Sequence, residues 1–127
     1  MEVLQSRVLL RPSDFEASRT FYRDTLGLHV YREFAGGRGL VFFLGGGFLE
    51  LSGSHPHPSP TGVAIWIQVR DLSQTHDRLV RAGVTIEEAP TKMPWDLKEM
   101  RARDPDGLEL VFVEIPDDHP LRRDTRD

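Results

Sequence analysis

The chain has 127 residues, of which 39% are hydrophobic and 28% charged, a composition typical of a globular domain. The net charge is −4, which does not favour nucleic-acid binding, because phosphate neutralisation needs clustered Lys and Arg. The absence of cysteine excludes disulfides, thiolate zinc sites and cysteine nucleophiles. No apolar run approaches the roughly 20 residues that span a bilayer, and the N-terminus lacks a signal-peptide pattern. We therefore expect a cytoplasmic protein without nucleic-acid or membrane partners.

The first half of the chain is predicted to form a strand, a helix and three further strands. Val8–Leu10 is a short apolar run typical of a buried strand. Ser13 followed by Glu16 matches a capping box, so a helix should begin there, and Gly27 is placed to end it. Glycine-rich turns separate the three strands that follow, which are Leu28–Phe34, Leu40–Leu44 and Phe48–Ser52.

The same order repeats after a proline-rich segment, residues 54–61, which is predicted to be a linker. A helix should begin at Asp71-Leu72, run to Ala82 and end at Gly83. The predicted strands of this half are Val63–Val69, Val84–Glu87, Leu97–Arg103 and Leu108–Glu114.

Strand–helix–strand–strand–strand therefore occurs twice, which predicts an α+β fold of two βαβββ modules, residues 1–53 and 62–115, within one domain. Residues 116–127 are predicted to be a loose charged tail. We expect the modules to form a curved mixed sheet around a concave cleft, with the helices on the outer face.

Three segments resemble the vicinal oxygen chelate superfamily, which includes glyoxalases, dioxygenases and bleomycin-resistance proteins. They are Phe21–Leu28 (FYRDTLGL), Phe48–Leu51 (FLEL), and Pro94-Trp95 followed by Arg103–Gly107 (RDPDG). The resemblance covers about residues 5 to 115 and implies paired βαβββ modules and a homodimer. It is informative for fold but not for function, because this superfamily contains both enzymes and non-catalytic drug binders.

The resemblance also implies four metal-ligand positions, which fall at Arg7, Glu50, Ala64 and Val111. Only Glu50 suits a metal, because arginine stays protonated and the other two side chains carry no donor atom. We therefore predict no metal, no other cofactor and no catalytic residue of the family type.

Side-chain alternation along the strands indicates which residues line the predicted cleft. The predicted ligand-binding residues are Arg7, Phe48, Glu50, Trp66, Gln68, Trp95 and Glu109. Three alternatives remain open: Trp66 can instead be a core residue, Trp95 can be a hydrophobic plug under its loop, and Arg7 with Glu50 can form an ion pair that replaces the metal. Phe34, Phe42 and Phe43 are expected mainly in the core, although one of them can reach the cleft. Phe21 and Tyr22 are expected to pack between helix and sheet.

The main functional hypothesis is non-catalytic binding and sequestration of an aromatic or cationic small molecule, such as an antibiotic, similar to bleomycin-resistance proteins. One alternative is a metal-dependent lyase or dioxygenase of the glyoxalase type. Another is a metal-free enzyme that uses Glu50 or Glu109 as a general base. The last is a structural or regulatory dimer without a ligand.

Overall fold

The computed structural model describes residues 1–56 and 62–119, so parts of the predicted linker and tail lie outside the described residues. Two βαβββ modules follow one another, and the predicted α+β class is confirmed. The first contains β1 Arg7–Leu10, α1 Phe15–Thr20, a π-helical turn Phe21–Thr25, β2 Val30–Glu33, β3 Gly39–Leu44 and β4 Gly47–Ser52. The second contains β5 Ala64–Gln68, α2 Leu72–Arg81, β6 Ile86–Lys92, β7 Lys98–Arg103 and β8 Glu109–Glu114.

The eight strands form two four-stranded sheets, in the orders β1-β4-β3-β2 and β5-β8-β7-β6. In each sheet the first strand of the module pairs in parallel with the fourth, and the other neighbours are antiparallel. The chain divides into two compact units. The first unit is Met1–Ser59 with Asp104–Gly107, and the second is Pro60–Arg103 with Leu108–Asp127. The turn between β7 and β8 therefore belongs to the first unit.

Helix α1 begins one residue later than a capping box at Ser13 requires, so that prediction is wrong. The N-cap is Asp14, whose carboxylate accepts a hydrogen bond from the backbone N–H of Ala17 at 3.1 Å. Ser13 has another partner, because its backbone N–H and its hydroxyl both donate to the carboxylate of Asp106. Ser13 therefore binds Asp106, in the turn Asp104–Gly107, and does not cap the helix.

The π-helical turn after α1 explains how two consecutive aromatic residues, Phe21 and Tyr22, are both buried. Leu26 N–H donates to the Phe21 carbonyl at 2.8 Å, a bond five residues long that widens the turn. Tyr22 packs near Phe42, with ring centroids 6.3 Å apart, and its hydroxyl donates to Asp104 Oδ2 at 2.7 Å. The predicted helix-to-sheet packing is confirmed, and Tyr22 also holds the turn Asp104–Gly107 in the first unit.

Helix α2 agrees with the prediction to within one residue. Asp71 accepts a hydrogen bond from the backbone N–H of Gln74 at 3.0 Å, and Glu114 Oε1 accepts one from that of Leu72 at 2.9 Å. Two N–H groups of the first turn, which have no partner within a helix, are satisfied in this way. Leu72 and Leu79 are buried. Among the described residues, no helix is long and apolar enough to cross a membrane.

Strand β6 was predicted as Val84–Glu87, but it runs on past Pro90 to Lys92. It lies at the edge of its sheet, and its register to β7 is irregular between Glu88 and Thr91. Proline has no N–H to donate, so it is tolerated at an edge or a bulge but not in a regular central strand. The predicted strand was therefore too short at its C-terminal end.

Candidate ligand-binding site

The side chains of strand β4 alternate between the two faces of the first sheet. Leu49 and Leu51 are fully buried, and Phe42, the register partner of Leu49, contacts Tyr22 of the helical segment. The alternate residues of β4 therefore point away from the helix. We call this side the first helix-distal face, and it comprises Arg7, Tyr31, Phe43, Phe48, Glu50 and Ser52.

Three aromatic rings form a cluster on the first helix-distal face. Tyr31 lies 5.0 Å from Phe43 and 4.9 Å from Phe48 between ring centroids, and Phe43 lies 5.7 Å from Phe48. These separations are in the range for favourable aromatic contacts. Tyr31 is 48% exposed and Phe43 46% exposed, although large aromatic side chains are usually well buried. Strands β2, β3 and β4 thus present a partly exposed aromatic surface, the aromatic cluster.

Glu50 lies two residues along β4 from Phe48 and is fully engaged. Its Oε1 accepts a hydrogen bond from Arg7 Nη1 at 2.7 Å, and its Oε2 accepts one from the Ser52 hydroxyl at 2.8 Å. The Ser52 hydrogen bond lowers the pKa of Glu50 below its ordinary 4.5; partial burial opposes the shift and Arg7 reinforces it. The ion pair considered from the sequence is therefore present, and Glu50 is an ionised carboxylate.

The register of β5 and β8 defines the corresponding face of the second sheet. Ala64 pairs with Glu109, Trp66 with Val111 and Gln68 with Val113. Trp66 is 54% exposed, so the alternative that it is a core residue is wrong. Strand β7 adds Glu99 and Arg101 to this side through their pairing with Val113 and Val111. The second helix-distal face comprises Trp66, Gln68, Glu99, Arg101 and Glu109.

Arg101 is the centre of the second helix-distal face. Its Nη1 bonds Glu109 Oε1 at 2.5 Å, its Nε lies 3.3 Å from Glu88 Oε2, and its Nη2 lies 3.9 Å from Glu99 Oε1. One guanidinium therefore faces three carboxylates, which leaves an excess of negative charge. Glu109, predicted as a polar anchor for a ligand, is already paired within the protein.

Trp95 is held by Glu99, a residue that was not among the predicted site residues. Its indole Nε1 donates to Glu99 Oε2 at 2.7 Å, while 52% of the residue is exposed. Glu99 is buried, and a buried carboxylate needs partners such as this N–H and Arg101. Trp95 lies in the tight loop between Met93 and Leu97, where Met93 N–H donates to the Leu97 carbonyl. Its polar edge is thus fixed and much of its ring is exposed.

Three residues of these faces were missed, Tyr31, Glu99 and Arg101, and Phe43 was expected mainly in the core. A signal for Phe43 was present in the sequence. A two-residue hairpin turn at Gly45-Gly46 pairs Leu44 with Gly47 and therefore Phe43 with Phe48, on the same face. The bulge in β2 near Tyr31 and the partners of Glu99 are tertiary features without a local pattern.

The Glyoxalase/Bleomycin resistance protein/Dioxygenase superfamily profile matches residues 5–112. The chain belongs to this superfamily. A solved member from Sphaerobacter thermophilus is 25% identical, with a TM-score of 0.72 over 90% of this chain and 98% of that one. The lactoylglutathione lyase of Agrobacterium tumefaciens is 19% identical, with a TM-score of 0.67 over 90% and 94%. A glyoxalase/dioxygenase of Nostoc punctiforme is 21% identical, with a TM-score of 0.70 over 87% and 89%. No curated protein matches the sequence significantly.

A divalent metal of the superfamily type does not fit these residues. Of the four implied positions, only Glu50 carries a suitable donor, and both of its oxygens are engaged by Arg7 and Ser52. Ala64 has no donor atom, and Val111 is apolar and buried. Within residues 1–56 and 62–119, no group of three or more His, Asp or Glu side chains is arranged to hold a metal ion. The donor set therefore disagrees with the metal chemistry that the superfamily implies.

Proposed function

We propose that this chain binds an aromatic small molecule on the first helix-distal face without transforming it. The main observation in support of this proposal is the aromatic cluster, which lies on the same face as the Arg7–Glu50 ion pair. Mutual contacts among Tyr31, Phe43 and Phe48 restrict the rings before a ligand arrives, so binding orders fewer side chains. A planar ligand stacked on one ring gains about 0.5–1.5 kcal/mol beyond area burial.

The second helix-distal face supports a ligand with a basic substituent. Three carboxylates surround Arg101, and the resulting negative charge attracts a cation. We propose Trp66 and Trp95 as further aromatic contacts for a ligand, and Gln68 and Glu109 as polar contacts. A ligand of the second face is therefore proposed to carry a basic group, as a cationic antibiotic does.

The state of the two candidate bases supports binding over catalysis. A general base is most effective when its pKa lies near the working pH, but the pKa of Glu50 is lowered from 4.5. Arg101 donates a hydrogen bond to one oxygen of Glu109, so that oxygen already has a partner within the protein. A metal-dependent lyase or dioxygenase requires ligands that three of the four implied positions do not offer. Elemental analysis of the purified protein tests this alternative: about one Fe, Mn, Ni or Zn per chain, lost in Glu50→Ala, contradicts the proposal.

The test of binding is a thermal-shift screen of planar aromatic compounds, including antibiotics with and without a basic group. A ligand that binds only the native state raises its stability by RT ln(1 + [L]/Kd). Calorimetric titration of a hit then compares wild type with Phe43→Ala and with Val80→Ala, the latter an exposed apolar residue on α2. We expect Phe43→Ala to weaken binding about fivefold or more and Val80→Ala to leave it unchanged.

Mass spectrometry of the recovered ligand separates sequestration from catalysis. We expect the ligand to be recovered unaltered after prolonged incubation. A product that accumulates with turnover means that the protein is an enzyme. Equal binding by wild type and Phe43→Ala means that the aromatic cluster is not the platform.

The predicted homodimer rests on the superfamily resemblance. Light scattering of the full chain at micromolar concentration tests it, and a mass of only 14.5 kDa contradicts it.

A further inference from the structure

A β-bulge in β2 places two consecutive residues, Tyr31 and Arg32, on the same side of the first sheet. The register between β2 and β3 shifts at this point. Arg32 pairs with Val41, which pairs in turn with Glu50, so Arg32 lies on the side of the first helix-distal face. Tyr31 belongs to the aromatic cluster on that side. A regular strand directs consecutive side chains to opposite faces, so the bulge is what makes this ring and this guanidinium neighbours.

The Arg32 guanidinium is held over the ring of Phe34. Its carbon atom Cζ lies 5.2 Å from the centroid of that ring, within the range of a cation–π contact. A Cβ atom on Gly39 would lie 2.9 Å from Phe34 Cδ2 and 3.0 Å from Ser52 Cβ, so glycine leaves room for the ring. Ser52 is the register partner of Gly39 and lies on the first helix-distal face. The contact restrains Arg32 before a ligand arrives, which lowers the cost of ordering its long side chain on binding.

The charged side chains of the first sheet are divided between its two sides. The four strands contain two arginines and two glutamates. Glu33 lies 4.0 Å from Arg19 of α1 and therefore belongs to the helix side. Arg7, Arg32 and Glu50 lie on the side of the aromatic cluster, so two positive charges face one negative charge there. A net positive charge beside aromatic rings attracts an anion.

Arg32, and not Arg7, supplies the positive charge that a ligand can use. Both carboxylate oxygens of Glu50 accept hydrogen bonds, one from Arg7 Nη1 at 2.7 Å and the other from the Ser52 hydroxyl at 2.8 Å. The pair with Arg7 therefore offsets the negative charge of Glu50. Within residues 1–56 and 62–119, the guanidinium of Arg32 forms no ion pair or hydrogen bond, and the residue is exposed. Its N–H groups are thus accessible to a ligand from solvent.

We propose that the ligand of the first helix-distal face is an aromatic carboxylate, whose ring stacks on the aromatic cluster and whose oxygens accept hydrogen bonds from Arg32. This inference rests on the proposed function, because it uses the same face and adds the charge of the ligand. Since Tyr31 and Arg32 are consecutive, a ring on Tyr31 has its acidic substituent within reach of the guanidinium. The planar fork of arginine matches the two oxygens of a carboxylate. The second helix-distal face has the opposite preference, because carboxylates outnumber Arg101 there.

The probes for this inference are fluoronaphthoate and fluoronaphthamide, which have nearly the same planar shape and differ in charge. Each is titrated against the full chain and followed by fluorine NMR. We expect both to bind, and the carboxylate to bind about threefold to tenfold more tightly, because solvent partly screens a charge-assisted hydrogen bond to an exposed arginine. Added salt should weaken binding of the carboxylate and leave binding of the amide nearly unchanged.

Variants of Arg32 identify the group that selects the charge of the ligand. Arg32→Met should lower the affinity for the carboxylate to that for the amide, and should leave the affinity for the amide unchanged. Arg32→Lys keeps the charge without the planar fork, so it should retain part of the preference. Arg23→Met is the matched control and should retain the full preference, because Arg23 lies on the helical segment and pairs with Asp24.

Amide chemical shifts of the wild type locate the bound carboxylate without any variant. We expect the largest changes at Tyr31, Arg32 and Phe43. Changes centred on Trp66 and Gln68 mean that the probe binds the second helix-distal face, and this result overturns the inference.

The charge of the probe and the variant Phe43→Ala separate failure of this inference from failure of the proposed function. Equal binding of the two probes, or a preference that persists in Arg32→Met, overturns the inference. The proposed function survives that result if Phe43→Ala still weakens binding of both probes. If neither probe binds saturably, or if Phe43→Ala binds both as wild type does, the aromatic cluster is not a binding surface. The proposed function then fails, and this inference fails with it.

Discussion

The two modules carry different side chains at matching positions of one scaffold. Arg7 and Ala64 each lie seven residues before a helix-capping aspartate, Asp14 or Asp71. In the register of the sheets Arg7 pairs with Phe48, and Ala64 pairs with Glu109. Counting along the strands from these two pairs matches four positions of the two sheets. Phe48 corresponds to Glu109 and Phe43 to Arg103. Glu50 corresponds to Val111 and Val41 to Arg101.

This comparison shows which part of the sequence determines the fold. The helix-facing positions are apolar and buried in both sheets, as at Leu49 and Leu51 or Leu110 and Phe112. Burial of these residues provides the stability of each module. Some helix-distal positions, such as Val41, Val111 and Val113, are also buried and apolar. The other helix-distal positions differ between the modules: the first sheet carries aromatic rings and the second a charge network. The modules therefore differ most on these faces, and superfamily membership does not specify what the faces do.

The largest expected effect is on the free energy of unfolding, and it differs between variants that remove the ion pairs of the two faces. Arg101→Met should destabilise the protein by about 2–3 kcal/mol, because Glu99, whose side chain is only 8% exposed, loses its counter-charge beside two other carboxylates. Arg7→Met should cost about 1 kcal/mol or less, because Glu50 loses one partner and keeps Ser52. Urea denaturation at low and high salt measures both. High salt should reduce the difference between the stability losses of the two variants, because it screens the repulsion between carboxylates. Equal losses in the two variants would contradict the comparison.

The next effect concerns the tyrosine that binds the turn Asp104–Gly107, a contact made in the first unit. Tyr22→Phe should cost about 1–2 kcal/mol, because Asp104 is buried and loses a hydrogen-bond donor. Phe21→Leu, which removes no hydrogen bond, is the control for lost aromatic packing. Thermal unfolding measures both variants, and a melting temperature for Tyr22→Phe equal to that of wild type refutes the role of this bond.

Tyr22 also predicts a dependence of stability on alkaline pH. Burial, and then the neighbouring Asp104, raise the pKa of Tyr22 far above its ordinary value of 10.0. Both folded and unfolded states bind the proton below pH 10.0, so this contribution is constant there. Above pH 10.0 the unfolded state releases the proton first, and the stability falls by up to about 1.4 kcal/mol per pH unit. Tyr22→Phe should lose this component, so its stability should fall less steeply than that of wild type.

The sequence predicted the fold well because its signals are local. Helix caps at Asp71, glycine turns and alternating strands each depend on a few neighbouring residues, and their repetition predicted two modules. The errors occurred where a distant residue changes a local preference. Ser13 bonds Asp106 instead of capping the helix, and Pro90 is accepted because β6 is an edge strand.

The candidate site was less predictable, because exposure and pairing depend on tertiary structure. Alternation along β4 placed Phe48 and Glu50 on one face, and the Arg7–Glu50 pair was foreseen as an alternative. No local pattern distinguishes Phe42, which is buried, from Phe43, which is partly exposed; only the hairpin register does. Glu99 was missed because strand patterns predict an apolar residue at a buried position, and its partner Trp95 lies in the preceding loop.

A smaller effect tests the state of Glu50 on the first face. Because its folded pKa is lowered from 4.5, its ionised form stabilises the fold above pH 4.5, and this contribution disappears as the pH falls through the folded pKa. We expect the contribution to be below about 1 kcal/mol, as for most partly exposed ion pairs. Carbon-detected NMR titration should give a midpoint below 4.5 in wild type and one nearer 4.5 in Ser52→Ala. A midpoint above 4.5 makes Glu50 a plausible base and favours the enzymatic alternative.

The smallest effect concerns the loops that join the second and third strands of each module. The first loop turns through Gly36 and Gly37, with φ of 76° and 66°, whereas the second places Asp96 at φ 70°. A side chain with a Cβ atom is strained there, and glycine is not. Asp96→Gly should therefore stabilise the protein by about 0.5 kcal/mol after allowance for the greater freedom of glycine in the unfolded chain. The lost contact with Lys92, 3.7 Å away and largely exposed, contributes little. The thermal unfolding of Asp96→Gly is compared with that of Asp96→Ala, which keeps the strain and loses the same ion pair. The difference between the two variants therefore measures the backbone effect alone. Equal stability of the two variants means that the second loop stores no strain beside Trp95.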